Sequence, residues 1–241
     1  ETTVAGTEPI IYYQFGDSGN TVTDQIGTLN ASAKKGADSN AASGFDGSVA
    51  GAVQFDGHND YVKMSHNDAL ELESGTITLR FNAEDMNGRQ ALFSKDSSGY
   101  DDGGHLTSYI ENGTVYVRLQ SDDQSYWVEG GSVEAGEWHN VTFSWGEDGM
   151  QLFVDSQLVD SNSYTGGIED NSNPMVLGAN IWASGDDKSN NREDFFDGAM
   201  DEFAIYAEQL SSDQVIDIYT NGVESLMGGS TEVILGDGEQ D

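Results

Sequence analysis

The chain has 241 residues, of which 43 are aspartate or glutamate and nine are lysine or arginine, so its formal net charge is −34 at pH 7. Such a charge repels the phosphates of nucleic acids and anionic lipid surfaces, so neither nucleic acid nor a membrane is expected as a partner. The absence of cysteine excludes a disulfide framework, a thiolate nucleophile and a cysteine-ligated zinc site.

The first quarter of the chain predicts short strands separated by polar loops. Residues 1–9 are polar and are predicted to be a linker, and strands are predicted from Ile10 and on both sides of a loop at residues 56–60. Residues 28–51 are small and polar and are expected to run over the surface as an irregular segment. The chain begins at Glu1 without a charged and apolar leader, which indicates a mature protein or a module of a longer one.

Period-two alternation predicts a run of antiparallel strands in the middle of the chain. Strands are expected near residues 76–81, 91–95, 105–110, 115–119 and 126–129, with a hairpin turn at Asn112-Gly113. The aliphatic residues of the fourth strand form its core side. Tyr109, Tyr116 and Arg118 are therefore predicted to lie together on the opposite side of the sheet.

The last part of the chain predicts a three-stranded unit, a long strand and a short helix. Residues 136–160 contain three alternating runs and two tight turns, and residues 198–207 form the last long strand. Ser211 and Gln214 have the spacing of a capping box, which predicts a helix that ends at Asn221-Gly222. The domain is therefore predicted over residues 10–222, and residues 223–241 are a linker or the start of a following module.

Four stretches, in this order, resemble segments of bacterial laminin-G-like domains, which belong to the concanavalin A-like jelly rolls. They are residues 53–57 with 60–62, residues 75–79, the motif Trp138-His139-x-Val141 with residues 152–155, and residues 198–206. The resemblance covers roughly residues 10–222. It implies an all-β, two-sheet antiparallel jelly-roll sandwich with one short C-terminal helix, of the kind found in large secreted adhesins.

The sequence predicts no enzyme and no catalytic residues. Glucanases of the jelly-roll class resemble this fold and use a Glu-x-Asp-x-x-Glu strand that aims three carboxylates into one cleft, a spacing that is absent here. The four histidines lack the spacing of a zinc site, and no nucleophile elbow is present. Two carboxylates that are distant in sequence could still meet in space, so a carbohydrate hydrolase or lyase remains an alternative.

Calcium is the expected cofactor, because it takes about six to eight oxygen ligands from flexible loops. The first candidate group of ligands lies in segments where the resemblance implies a structural calcium: Asp17, Asp24, Asn59, Asp60 and Asp201. The second group lies in two acidic loops: Asp96, Asp101, Asp102, Asp186 and Asp187. General surface acidity is the alternative explanation for both groups.

A glycan site is expected beside the second group, because a bound ion can hold sugar hydroxyls while an aromatic ring stacks on the pyranose. Its candidate ligand-binding residues are Tyr100, Trp182, Asn180, Asn190 and Asn191. The face that carries Tyr109, Tyr116 and Arg118 is a separate candidate, although ordinary cross-strand pairing also explains these residues.

These observations lead to a function hypothesis. The chain is expected to be a calcium-dependent, lectin-like module that binds a cell-surface or extracellular polysaccharide and mediates adhesion within a larger secreted bacterial surface protein. The bacterial and adhesive parts rest on the resemblance alone. A monomeric module is expected. The alternatives are a structural spacer without a ligand and a carbohydrate hydrolase or lyase.

Overall fold

The computed structural model describes residues 7–96, 104–121, 124–181 and 192–227. In these ranges the helices are the α-helix α1 (Ser212–Asn221) and two short 3-10 helices, Asp68–Leu70 and Val223–Leu226. The strands are β1 (Ile11–Tyr13), β2 (Thr21–Val22), β3 (Ala31–Lys34), β4 (Asp38–Ala42), β5 (Ala52–Asp56), β6 (Tyr61–Met64), β7 (Gly75–Ala83), β8 (Arg89–Lys95), β9 (His105–Glu111), β10 (Thr114–Gln120), β11 (Ser125–Gly130), β12 (His139–Trp145), β13 (Met150–Val154), β14 (Gln157–Asn162), β15 (Met175–Leu177), β16 (Asn180–Ile181), β17 (Arg192–Glu193) and β18 (Asp197–Tyr206).

The strands form two large sheets that pack face to face. Sheet A has the order β14-β13-β12-β7-β18-β5-β4, with β1 also paired to β18, and sheet B has the order β11-β10-β9-β8-β15-β6-β3-β2. The described strand pairs are antiparallel. Apolar side chains from both sheets, such as Phe143 and Phe93, meet in one core. The predicted two-sheet antiparallel jelly roll with a short C-terminal helix is confirmed.

The central strand β12 of sheet A is buried on both faces, whereas alternation predicts a half-buried strand. Val141 and Phe143 lie in the core, and Thr142 on the other face is also buried. The outer face is covered because α1 packs on it and forms a second apolar cluster with β1, β13 and β18, in which Phe153 and Ile218 are buried. None of the described helices combines the length and the apolar composition needed to cross a bilayer.

Residues 28–51 contain two strands that the sequence analysis did not predict. β3 pairs with β2 and β6 in sheet B, and β4 pairs with β5 in sheet A. Their residues are mostly alanine, serine and asparagine, which have weak strand propensity. Backbone hydrogen bonds to neighbouring strands therefore determine these strands more than side-chain propensity does, although Ala31 and Ala33 of β3 alternate into the core.

Helix α1 begins at a capping box, as the sequence predicts. The Ser211 hydroxyl accepts a hydrogen bond from the Gln214 N–H at 3.3 Å, and Gln214 Oε1 accepts one from the Ser211 N–H at 2.8 Å. Val215 and Ile218 form the buried face of the helix. Gly222 follows its last residue with φ 83°, a backbone angle that favours glycine.

Replacing Ser211 by alanine is expected to lower the free energy of unfolding by about 1 kcal/mol, because the Gln214 N–H loses the Ser211 hydroxyl as its acceptor. Urea unfolding followed by circular dichroism measures this loss. Ser212→Ala is the matched control, since Ser212 is exposed inside the first turn and should change stability by less than about 0.5 kcal/mol. Equal losses in the two variants would contradict the capping role.

Candidate functional site

The outer face of sheet B carries aromatic side chains over three neighbouring strands. Val115, Val117 and Leu119 of β10 point into the core, so Tyr116 and Arg118 point outward. The register places Tyr116 opposite Tyr109 of β9 and Arg118 opposite Trp127 of β11. This part of the sheet therefore combines the Tyr109, Tyr116 and Arg118 set predicted from sequence with a tryptophan that the sequence analysis did not select.

Three rings lie together here, and we call them the aromatic platform (Tyr109, Tyr116 and Trp127). Tyr109 is buried, with 6% of its surface exposed, and Tyr116 is half-buried. The Tyr109 and Tyr116 rings are stacked, with centroids 5.0 Å apart and an interplanar angle of 14°. Trp127 meets Tyr109 edge to face at 6.3 Å and is 40% exposed. Adjacent strands lie about 4.8 Å apart, so the platform extends roughly 10 Å across the sheet.

Arg118 is held beside the platform by a buried carboxylate. Its Nη2 donates to Asp96 Oδ2 at 2.7 Å, and the Thr107 hydroxyl donates to the same oxygen at 2.7 Å. His105 Nδ1 lies 3.4 Å from the other oxygen of Asp96. These contacts make Asp96 a positioning residue for Arg118, and its role as a calcium ligand stays a prediction from sequence.

Arg89 and Asp194 extend the polar part of this face. The Arg89 guanidinium lies 4.4 Å from the centroid of the Tyr109 ring, and its Nη1 lies 4.0 Å from Asp194 Oδ2. Burial, and next the charge of Glu193, raises the pKa of the Asp194 carboxyl to about 6. Sequence reasoning missed both residues, because β8 and the segment after β17 are brought together only by the fold.

A small ribbon covers the other half of the outer face of sheet B. β16 pairs with β17, and Ile181 packs with Tyr61 and Val176 of the sheet. Arg192 of the ribbon lies 3.7 Å from the centroid of the Tyr61 ring. Asn180, a predicted sugar ligand, is buried at the base of the ribbon, where its Oδ1 accepts a hydrogen bond from the Ser94 hydroxyl at 3.0 Å. The outer residues of β9 are buried, whereas Tyr116 and Arg118 of β10 are half-buried and Trp127 of β11 is exposed.

The first predicted calcium group is divided among separate places. Asp24 is buried, and its two carboxylate oxygens accept hydrogen bonds from four backbone N–H groups at 3.1–3.2 Å, those of Tyr12, Ile26, Gly27 and Leu29. Asp17 accepts from the N–H and the hydroxyl of Thr23 at 2.7 and 3.0 Å. Both carboxylates therefore stabilise turns by accepting hydrogen bonds. A cation bound to the same oxygens would displace these N–H and hydroxyl donors.

Asp60 and Asn59 lie at the loop between β5 and β6. Asp60 is buried, its Oδ2 accepts a hydrogen bond from the Asp56 N–H at 3.2 Å, and its Oδ1 has no hydrogen-bond partner among the described residues. Burial, and next the charge of Asp56, raises the pKa of Asp60. Asn59 is exposed beside it.

Asp201 lines a cavity of about 270 Å³ at sheet A, which we call the acidic cavity. Its carboxylate accepts hydrogen bonds from the N–H groups of Phe45 and Glu202 at 2.9 and 2.7 Å. Burial raises the pKa of Asp201 to about 6. The cavity is lined by Tyr12, Gln14, Phe15, Phe45, Asp46, Ser48, Gly51, Asp201 and Glu202. Three of these residues are carboxylates, but Glu202 forms an ion pair with the buried Arg80, so Asp46 and Asp201 are the carboxylates that are left for a calcium ion.

A further cluster of metal-ligating residue types escapes the sequence analysis. Ligand atoms of His66, Asp68 and Glu71 lie within 4.8 Å of one another at the first 3-10 helix. His66 Nε2 is 3.6 Å from Asp68 and 3.4 Å from Glu71, so ion pairing with a protonated histidine also explains the cluster. Eight predicted residues lie outside the described ranges: Tyr100, Asp101, Asp102, Trp182, Asp186, Asp187, Asn190 and Asn191.

Solved structures show which proteins share this fold. The chain aligns with domain 4 of AbnA, an extracellular arabinanase from Geobacillus stearothermophilus, in complex with arabinotriose, with a TM-score of 0.68 and 15% identity over 89% of this chain and 99% of that one. The sialidase module CBM40 of Ruminococcus gnavus bound to α2,3-sialyllactose has a TM-score of 0.51 and 21% identity over 61% of this chain and 83% of that one. The binding domain of botulinum neurotoxin serotype D has a TM-score of 0.60 and 15% identity over 88% of this chain, which spans 51% of that one.

A family model assigns the chain directly. Curated proteins yield no match. The model of laminin-G-like domains in the concanavalin A-like lectin/glucanases superfamily matches residues 56–216, about two thirds of the chain. The match includes the central strands and the platform residues. The chain therefore belongs to the laminin-G-like family of the concanavalin A-like lectin/glucanase superfamily.

Proposed function

We propose that this chain is a carbohydrate-binding module without catalytic activity, and that the aromatic platform is its glycan site. The observation that carries the proposal is the accessible pair Tyr116 and Trp127 of the platform, both in contact with the Tyr109–Arg118 part of the outer face of sheet B, with Arg118 fixed beside them by Asp96. Aromatic faces stack on the apolar side of sugar rings, and a fixed guanidinium donates to their hydroxyl oxygens. The sugar ligands of the arabinanase domain and the sialidase module support the same class of ligand for this chain.

The biological setting is part of the proposal. The module serves in adhesion or substrate targeting within a larger secreted bacterial surface protein and acts as a monomer. The large negative charge favours solubility outside the cell, where salt screens the repulsion among carboxylates. A bound calcium ion at the acidic cavity stabilises the fold, with Asp46 and Asp201 as its carboxylate donors.

A glycan array with calcium, repeated with chelator, tests the binding function. A binding module retains specific oligosaccharides, and a structural spacer retains none. A hydrolase is the second candidate, because the raised pKa of Asp194 on the platform face is a property of general acids. Mass spectrometry of array ligands after long incubation separates the two: cleavage that disappears in Asp194→Asn would replace the binding proposal by a catalytic one.

Replacing Trp127 or Tyr116 by alanine is expected to weaken binding of an array hit about tenfold, which corresponds to ~1.4 kcal/mol of lost stacking. Isothermal titration calorimetry measures the change. Ile216→Ala is the matched control, because Ile216 is an apolar side chain of α1 that is 46% exposed, and α1 packs on the outer face of sheet A, away from the platform on sheet B. If the two platform variants bind as tightly as the control, the platform is not the site.

A further inference from the structure

The connection between β6 of sheet B and β7 of sheet A brings a histidine and two carboxylates together, which we call the His66 cluster (His66, Asp68 and Glu71). One ligand atom from each side chain lies within 4.8 Å of the other two. In sheet B, β15 and β8 lie between β6 and the strands of the aromatic platform. The cluster is therefore separate from the proposed glycan site.

The distances within the cluster suit a shared metal ion better than direct hydrogen bonds. His66 Nε2 lies 3.6 Å from Asp68 Oδ1 and 3.4 Å from Glu71 Oε1. Hydrogen bonds between nitrogen and oxygen are about 2.7–3.2 Å long, so both separations are too wide for a good one. Ligand atoms lie about 2.0–2.1 Å from a tetrahedral zinc ion, which puts two of them about 3.3 Å apart. The observed separations are close to that value.

The two carboxylates have no lysine or arginine to neutralise them. Within the described residues, no nitrogen of either residue type lies within 4.0 Å of Asp68 or Glu71. The charge of Glu71 acts on Lys95, but the buried Lys95 ammonium donates its hydrogen bond to the backbone oxygen of Asn171. His66 Nδ1 is buried and has no hydrogen-bond partner in the described part of the chain, so the polar contacts of the ring are on its Nε2 side. A neutral imidazole there offers a lone pair beside two negative charges, which is a donor set for a divalent ion.

The backbone holds these ligands in place before any ion binds. Leu70 is buried in the core between Asp68 and Glu71 in sequence. Asn67 Oδ1 accepts a hydrogen bond from the Ala69 N–H at 2.9 Å, and the Asp68 carbonyl accepts one from the Glu71 N–H at 3.1 Å. Binding an ion therefore orders only side chains, which limits its entropic cost.

We propose that the His66 cluster binds one divalent transition-metal ion of the zinc type, through His66 Nε2 and one carboxylate oxygen each from Asp68 and Glu71. The nitrogen ligand disfavours calcium and magnesium, which take oxygen ligands. Three protein ligands leave the fourth tetrahedral position to water. The ion fastens the connection between the two sheets and stabilises the native state. This site does not depend on the proposed carbohydrate-binding function.

Isothermal titration calorimetry with zinc chloride tests the site at pH 7 in excess calcium, which occupies the oxygen-only sites of this acidic chain. The parent is expected to bind one zinc ion per chain and to melt at a higher temperature in zinc. His66→Gln should weaken zinc binding by about tenfold or more and remove the rise in melting temperature. Asp68→Asn should also weaken binding, and it should fold normally because the Asp68 side chain is 99% exposed.

His58→Gln is the matched control, because His58 is an exposed histidine with Nδ1 3.8 Å from a single carboxylate, that of Asp56. It should bind zinc like the parent, which excludes a general effect of losing one histidine. Equal weakening in the two histidine variants would contradict the proposed ligands. Zinc binding that excess calcium abolishes, or that His66→Gln and Asp68→Asn leave unchanged, would place the ion on general surface carboxylates and overturn the proposal.

Discussion

Replacing Asp24 by alanine is expected to lower the free energy of unfolding by about 4 kcal/mol, because one buried carboxylate then leaves several backbone donors without an acceptor. Asp24 is 5% exposed and accepts hydrogen bonds from four backbone N–H groups. A buried N–H group that loses its acceptor costs about 1–3 kcal/mol, and water entering the vacated space recovers part of the sum. The melting temperature should fall by roughly 8–16 °C.

Thermal and urea unfolding measure the effect in calcium and in chelator. Asp17→Ala is the control, because Asp17 accepts from only one residue, Thr23, and should cost about 1 kcal/mol. A structural turn predicts the same loss for Asp24→Ala in both buffers. If the loss occurs only in calcium, Asp24 acts as a metal ligand, as the sequence predicts. A loss no greater than that of Asp17→Ala would contradict the role assigned from the four hydrogen bonds.

The second large effect concerns Asp201 and pH. Burial raises the pKa of Asp201 to about 6 in the folded protein, above the unfolded value of 3.8. A raised carboxyl pKa means that the native state binds the proton more tightly than the unfolded state does. The stability that this group contributes is therefore complete below about pH 4 and is lost as the pH rises through 6, by about 3 kcal/mol in total.

Calcium is expected to cancel this loss if it binds at the acidic cavity. A cation beside Asp201 favours the ionised carboxylate, and calcium at a hundredfold excess over its dissociation constant stabilises the native state by about 2.7 kcal/mol. Unfolding of the parent and of Asp201→Asn is measured at pH 4 and 7. In chelator, the parent should lose about 3 kcal/mol relative to the variant between these pH values.

In calcium at pH 7 the parent should regain stability and Asp201→Asn should not. If calcium leaves the stability of the parent unchanged, calcium is removed from the proposed function. The pH effect in chelator would still test the burial of Asp201. The same pH dependence in parent and variant would contradict the assigned pKa. Glycan binding at the platform is measured separately, so failure of the calcium proposal leaves the binding proposal to its own test.

The sequence by itself determined the features that depend on local pattern. Alternation on β10 predicted that Tyr116 and Arg118 lie on the face opposite Val117, and the capping box predicted the start of α1. Both features depend on residues only a few positions apart, because these residues set side-chain direction in a strand and hydrogen bonding in the first turn of a helix. The same alternation places Trp127 outward between Tyr126 and Val128, so this platform residue was within reach of the sequence.

Only the tertiary structure decided which side chains meet. Asp96 pairs with Arg118 across 22 residues, and Arg89 on β8 lies near Asp194, which follows β17 much later in the chain. In so acidic a chain, the sequence does not distinguish the roles of individual carboxylates. In the fold, Asp24 accepts hydrogen bonds within a turn, Asp96 forms an ion pair with Arg118, and Asp201 lines a cavity. A period-two pattern determines which face of a strand each side chain occupies. Long-range pairing determines which strands lie next to each other, and the candidate sites consist of side chains from neighbouring strands.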